Sequence, residues 1–166
     1  VAAGRMSQDS VTLFPHAVYD NGYGWDRYTF SVDIETDNDR LLGILVGYQG
    51  PDNYYRLVTN AEKNFMRLER VTGSSFQTIG DQAISYTPGV PFTLTGEFNR
   101  GEMRFYLNGE LLFGGPIVDG VYTVGTVGFF TNWQGATFFD NVRVVRPADA
   151  PVVYPMSAGG FIEAEN

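Results

Sequence analysis

Asp33, Glu35, Asp37 and Asp39 alternate with Ile34, Thr36 and Asn38 along one stretch of a 166-residue chain. On an extended strand, alternate side chains share a face about 6.8 Å apart. Glycosidases hold their two working carboxyls about 5 to 9.5 Å apart, so Asp33 and Glu35 raise the question of a hydrolase or lyase. Clustered carboxylate and amide oxygens also suit a hard cation, which makes Asp37, Asn38 and Asp39 candidate calcium ligands. A solvated acidic turn is the plainer account of the same three residues. Asp140, between Phe139 and Asn141, is a second metal candidate; its plainer account is a carboxylate bonded to backbone near a sheet edge.

Sugar recognition asks for flat aromatic faces and for charged or amide groups that meet hydroxyls. Alternation says which residues qualify. If Tyr55 and Leu57 are core, Tyr54 and Arg56 face out; if Phe105 and Leu107 are core, Arg104 and Tyr106 face out; Leu68 inward leaves Arg67 and Glu69 outward. Trp133, in the loop Thr131-Asn132-Trp133-Gln134-Gly135, completes a carbohydrate-binding set of Tyr54, Arg56, Arg67, Arg104, Tyr106 and Trp133. Trp25, in Asn21-Gly22-Tyr23-Gly24-Trp25, is a similar loop aromatic. A cluster of Arg56, Arg67 and Arg104 would grip carboxylate or sulfate bidentately and so favour acidic sugars. Cross-strand pairing of Arg67 or Arg104 with Glu69 is the structural alternative.

Other chemistries lack their residues. His16 is the only histidine and there is no cysteine, which removes a His-based zinc cluster and any thiolate chemistry. Gly114-Gly115-Pro116 closes a strand instead of opening a helix, so it is no phosphate loop.

The elements that position these residues are strands. Runs with period-two alternation recur every eight to twelve residues from Val11 onward, and no stretch keeps a helical period for three turns. Tyr28 to Ile34 is the clearest, with Tyr28, Phe30, Val32 and Ile34 on one face. Gly43–Tyr48, Tyr54–Thr59, Phe65–Val71, Ser75–Ile79, Phe92–Phe98, Met103–Leu107, Glu110–Phe113, Val124–Phe130 and Thr137–Val145 follow. Asn108-Gly109 is the strongest hairpin signal, because a type I′ turn needs two residues tolerant of positive φ. So many short strands without a helix predict an all-β, two-sheet antiparallel sandwich, most simply a jelly roll.

Nineteen acidic against eleven basic residues give a net charge of −8, which repels phosphate backbones and makes nucleic acid an unexpected partner. No apolar run reaches the roughly 20 residues a membrane helix needs, so no membrane partner is expected. After Val145 the texture turns to prolines and small residues, which places a domain at 1–146 and a linker at 147–166.

The segment from Asp37 to Gln49 with Asp52-Asn53-Tyr54-Tyr55-Arg56-Leu57 resembles the concanavalin A-like lectin/glucanase superfamily, nearest to laminin G-like and thrombospondin C-terminal-like domains. Arg104 to Glu110, Gly128-Phe129-Phe130 and Phe138 to Val144 agree with that family's later strands. Such domains bind sugars, calcium or proteins, and the resemblance implies calcium near Asp37 to Asp39. For Asp140 it implies a structural calcium completed by oxygens of the amino-terminal region. The related glucanases carry Glu-x-Asp-x-x-Glu on one strand, a pattern from which Asp33 to Asp39 departs. Ile162-Glu163-Ala164-Glu165 resembles the opening strand of carbohydrate-binding module family 6. Together these imply a non-catalytic carbohydrate-binding accessory module of a secreted or cell-surface bacterial protein, with covalently linked neighbouring domains, a glycan partner and a calcium cofactor. The alternatives are a calcium-dependent adhesion or protein-interaction domain, and a glycoside hydrolase or lyase using Asp33 and Glu35.

Overall fold

The structure is a computed structural model that describes residues 6–8, 16–132, 136–146, 154–155 and 161–164. The elements in chain order are β1 (Met6–Gln8), β2 (His16–Tyr19), β3 (Arg27–Thr36), β4 (Leu41–Gly50), β5 (Asn53–Asn60), β6 (Phe65–Thr72), β7 (Ser75–Gln82), β8 (Phe92–Asn99), β9 (Glu102–Leu107), β10 (Glu110–Leu111), β11 (Ile117–Val118), β12 (Thr126–Thr131), β13 (Thr137–Val145), β14 (Tyr154–Pro155) and β15 (Phe161–Ala164). Among the described residues there is no helix.

Alternation sets the strands and the core together. Tyr28, Phe30, Val32 and Ile34 of β3 and Phe92, Leu94 and Phe98 of β8 bury against Leu42, Ile44, Val46, Tyr55 and Leu57 of β4 and β5. Sheet A has the order β1-β13-β3-β8-β9-β10, with β11 also on β9 and β14 on β13; sheet B runs β15-β2-β12-β4-β5-β6-β7. Every pairing is antiparallel. The β9–β10 turn uses Asn108 at φ 51° and Gly109 at φ 83°, the conformation its dipeptide predicts. The fold is thus a two-sheet antiparallel jelly-roll sandwich, as the strand pattern requires.

Two features of sheet B were not anticipated. Residues 161–164, read from sequence as the opening of a following module, pair here with β2, from Phe161 opposite Tyr19 to Ala164 opposite His16. The edge of β2 otherwise presents unpaired backbone groups, which an added strand satisfies. The second feature is a bulge in β4 between Val46 and Gly50. Gly47 sits there at φ 58°, and its N–H donates to the buried Tyr28 hydroxyl at 2.7 Å. An inserted residue reverses the alternation beyond it, so Val46 enters the core while Tyr48 turns to the opposite face.

Candidate functional site

The face of sheet B that points away from the core is itself apolar. Val18, Leu45, Tyr48, Tyr54, Val58, Val71 and Phe130 form a second buried cluster there, with Leu41 and Phe65 packed against it. The His16 ring meets Tyr54 at 5.5 Å, Phe130 at 6.0 Å and Tyr48 at 6.5 Å, each edge to face. His16 on β2 and Tyr54 on β5 stand three strand spacings apart, about 14 Å on a flat sheet. The intervening outward positions include Gly128, opposite Val18 and Leu45, and Gly43, opposite Val58. Without side chains at those points the flanking rings lean together over the middle of the sheet.

A charged pair lies in the same face. Arg56 and Glu69 are register partners on β5 and β6, and Arg56 Nε donates to Glu69 Oε2 at 2.7 Å. Their side chains are only 11% and 6% exposed. The guanidinium lies 5.1 Å from the centre of the Phe76 ring and 5.8 Å from that of Phe130, within cation–π range. Phe76, on the edge strand β7, is 59% exposed. Beside it Arg67 pairs with Asp81 at 3.2 Å and covers the Phe65 ring at 4.2 Å. Burial, with the Arg56 charge adding to it, pulls His16 down from 6.5 to about 4. The imidazole is therefore neutral near pH 7, and neither of its nitrogens has a hydrogen-bond partner. Burial also pushes the Tyr48 hydroxyl up to about 12.

The expected carbohydrate-binding set is divided by the sandwich. Tyr54, Arg56 and Arg67 do share the outer face of sheet B, but Arg104 and Tyr106 alternate with the core residues Met103, Phe105 and Leu107 of β9 and so lie on the outer face of sheet A. Arg56, Arg67 and Arg104 therefore form no cluster, because the two faces point in opposite directions. Arg104 reaches Glu102 at 2.8 Å, and Glu69 is bonded by Arg56, where the sequence suggested Arg67 or Arg104. Tyr54 faces outward as alternation requires, yet it is only 3% exposed, since Tyr48 at 5.4 Å and His16 close over it. Trp25 belongs to the main core and stacks on Tyr19 at 5.3 Å. Trp133 lies outside the described residues. Tyr48, His16 and Phe76 were missed; the Gly47 that precedes Tyr48 was the one available signal.

The two stretches expected to hold calcium lie in different settings. Asp37, Asn38 and Asp39 form the β3–β4 loop, which is tied by its backbone: the Tyr86 hydroxyl donates to the carbonyls of Asn38 and Arg40 at 3.0 and 2.8 Å. The Asp39 carboxylate stands 3.8 Å from Arg40 Nε. Asp140 is the register partner of Asp33 on the outer face of sheet A; its Oδ1 accepts the Asn141 N–H at 2.7 Å. Among the described residues no three His, Cys, Asp or Glu side chains stand close enough to hold a metal ion. The amino-terminal residues 1–5 and 9–15, expected to complete a set with Asp140, lie outside the description. Asp33 spends both oxygens, accepting Thr93 Oγ1 at 2.6 Å and Asn141 Nδ2 at 2.7 Å.

No protein family and no curated protein matches the chain. Solved structures do. A carbohydrate-binding module of type CBM66 from Bacillus subtilis superposes with a TM-score of 0.71 at 14% identity, covering 85% of this chain and 91% of that one. A single mutant of congerin II gives 0.61 at 16% identity over 77% of this chain and 97% of its own. The galectin LEC-6 of Caenorhabditis elegans gives 0.56 at 14% identity over 87% and 91%. At these identities the likeness is one of fold, a two-sheet jelly roll.

Proposed function

We propose that the chain is a non-catalytic glycan-binding module whose site is the outer face of sheet B along Phe76, Arg56, Glu69 and Arg67. The observation that carries this reading is an apolar, aromatic sheet face outside the core that contains a fixed guanidinium–carboxylate pair beside an exposed ring. An aromatic face takes the C–H side of a sugar ring, and the pair presents donors and an acceptor to its hydroxyls. The likeness in fold to a CBM66 module and to galectins supports the same use. Arg56 and Arg67 are each neutralised by a carboxylate, so this reading takes neutral glycans, where a free arginine cluster would have selected acidic ones. Membership of a secreted modular protein belongs to the reading and rests on the superfamily resemblance; calcium has no assigned part in it.

Affinity electrophoresis of the chain through gels of neutral and acidic polysaccharides, with calcium and with chelator, tests the proposal. Retardation by a neutral polysaccharide, lost in Phe76→Ala, is the expected result. Unchanged mobility throughout would overturn it. The closed packing of Tyr54 and His16 favours one rival, a seat for a polypeptide, and binding to protein without retardation by any sugar would establish that instead.

A further inference from the structure

On the outer face of sheet B, β6 carries Val71, Glu69 and Arg67 at alternate positions, opposite Phe76, Thr78 and Asp81 of β7. Thr78 and Asp81 are three residues apart, a spacing that on a regular strand puts them on opposite faces. The extra residue Ile79 returns Asp81 to the face of Thr78, and re-aiming a side chain is what bulges beside functional sites do. The re-aimed carboxylate meets Arg67, with Nε 3.2 Å from Oδ2.

Two pairs of the same make therefore stand on this face. In each, a guanidinium is clasped by a carboxylate of the next strand and lies against a ring: Arg56 with Glu69 and Phe76, Arg67 with Asp81 and Phe65. They differ in exposure. The first pair is nearly buried and leaves Phe76 as its open surface, whereas the Arg67 and Asp81 side chains are 38% and 53% exposed and present donors and an acceptor to solvent side by side. From Val71 to Arg67 the strip spans four residues, about 14 Å. It runs out at its ends into the exposed turns Gly73-Ser74 and Glu62-Lys63-Asn64.

We infer that Arg67 and Asp81 form a second sugar subsite in line with Phe76, so that the strip takes an internal run of about three units of a neutral glycan along β6. A hydroxyl both donates and accepts. Neighbouring hydroxyls of one unit accept from the Arg67 guanidinium and donate to the Asp81 carboxylate, which touch each other and so lie within reach of the same unit. An earlier unit of the chain rests its C–H face on Phe76. The inference rests on the glycan-binding reading and adds to it the length and the direction of the ligand.

The test uses the full chain and calorimetric titration with cello-, xylo-, manno-, laminari- and malto-oligosaccharides of two and four units. In the parent, the tetrasaccharide of at least one series is expected to bind at least tenfold more tightly than its disaccharide. Asp81→Ala and Arg67→Met alter an exposed pair that adds little to stability, and each is expected to cut that ratio below threefold at an unchanged melting temperature. Phe76→Ala is expected to weaken both lengths. Binding that is lost in Phe76→Ala, but with a ratio near one in the parent or an unaltered ratio in both pair variants, would overturn the second subsite and leave the glycan-binding reading standing. Absence of binding to every series, together with unchanged mobility in every gel, would overturn both.

Discussion

Arg56 and Glu69 meet at 2.7 Å on the side of sheet B that faces away from the core, two strands and one strand inward from the exposed ring of Phe76. A nearly buried ion pair adds little net stability, because desolvation offsets much of the attraction. Its effect is orientation: the guanidinium is held by the carboxylate and by two flanking rings in one geometry.

Removing one member of this pair leaves the other charge uncompensated. Glu69→Gln is expected to lower unfolding stability by roughly 3 kcal/mol, while Arg56→Met combined with Glu69→Leu recovers most of that loss. Urea unfolding of the single variant and the double one measures this. Equal losses in Glu69→Gln and in the double variant would contradict it.

Phe76 should separate binding from stability. At 59% exposure its truncation to alanine removes little buried surface, and the unfolding free energy is expected to move by less than about 0.5 kcal/mol. Retardation in neutral polysaccharide gels is expected to disappear in the same variant.

His16 makes stability depend on pH. Its folded pKa of about 4 lies below the unfolded 6.5, so the unfolded chain takes up a proton that the folded one refuses. The contribution is complete above pH 6.5 and is lost as pH falls toward 4, amounting to roughly 3 kcal/mol. The rings of Tyr48, Tyr54 and Phe130 pack against it, and Arg56 adds its charge. His16→Phe keeps a ring against Tyr54 and Phe130, and denaturant midpoints measured from pH 7 to pH 4 should fall less steeply than in the parent.

Tyr28 supports the bulge that aims Tyr48. Its hydroxyl is the acceptor for the Gly47 N–H at 2.7 Å, and Tyr28→Phe leaves that buried donor without a partner. A loss of about 1–3 kcal/mol is expected, read as a lower thermal midpoint with the sandwich otherwise intact. A midpoint equal to that of the parent would show that the bulge needs no such anchor.

Alternation was enough to read the sandwich. The run Tyr28-Thr29-Phe30-Ser31-Val32-Asp33-Ile34 states its inner face residue by residue, and Asn108-Gly109 states its turn. Alternation also placed Tyr54, Arg56 and Arg67 outward, because that property is local. What it could not carry was which sheet each strand joins. Arg104 reads like Arg56, yet β9 pairs with β8 while β5 pairs with β4, and strand order is fixed by long-range packing that no short window contains. Tyr48 was lost for another reason, since Gly47 shifts the period by one and a fixed two-residue repeat assigns the wrong face beyond it.

β7 leaves the far margin of sheet B without a neighbouring strand among the described residues. A long flat margin of this kind invites foreign strands and, at high protein concentration, self-association. Here Ile79 is extra: Glu69 lies opposite Thr78 but Leu68 opposite Gly80. That kink limits the straight ladder to Ser75–Thr78, too short a template for a growing aggregate, and the net charge of −8 keeps like chains apart while Phe76 stays open on the same margin.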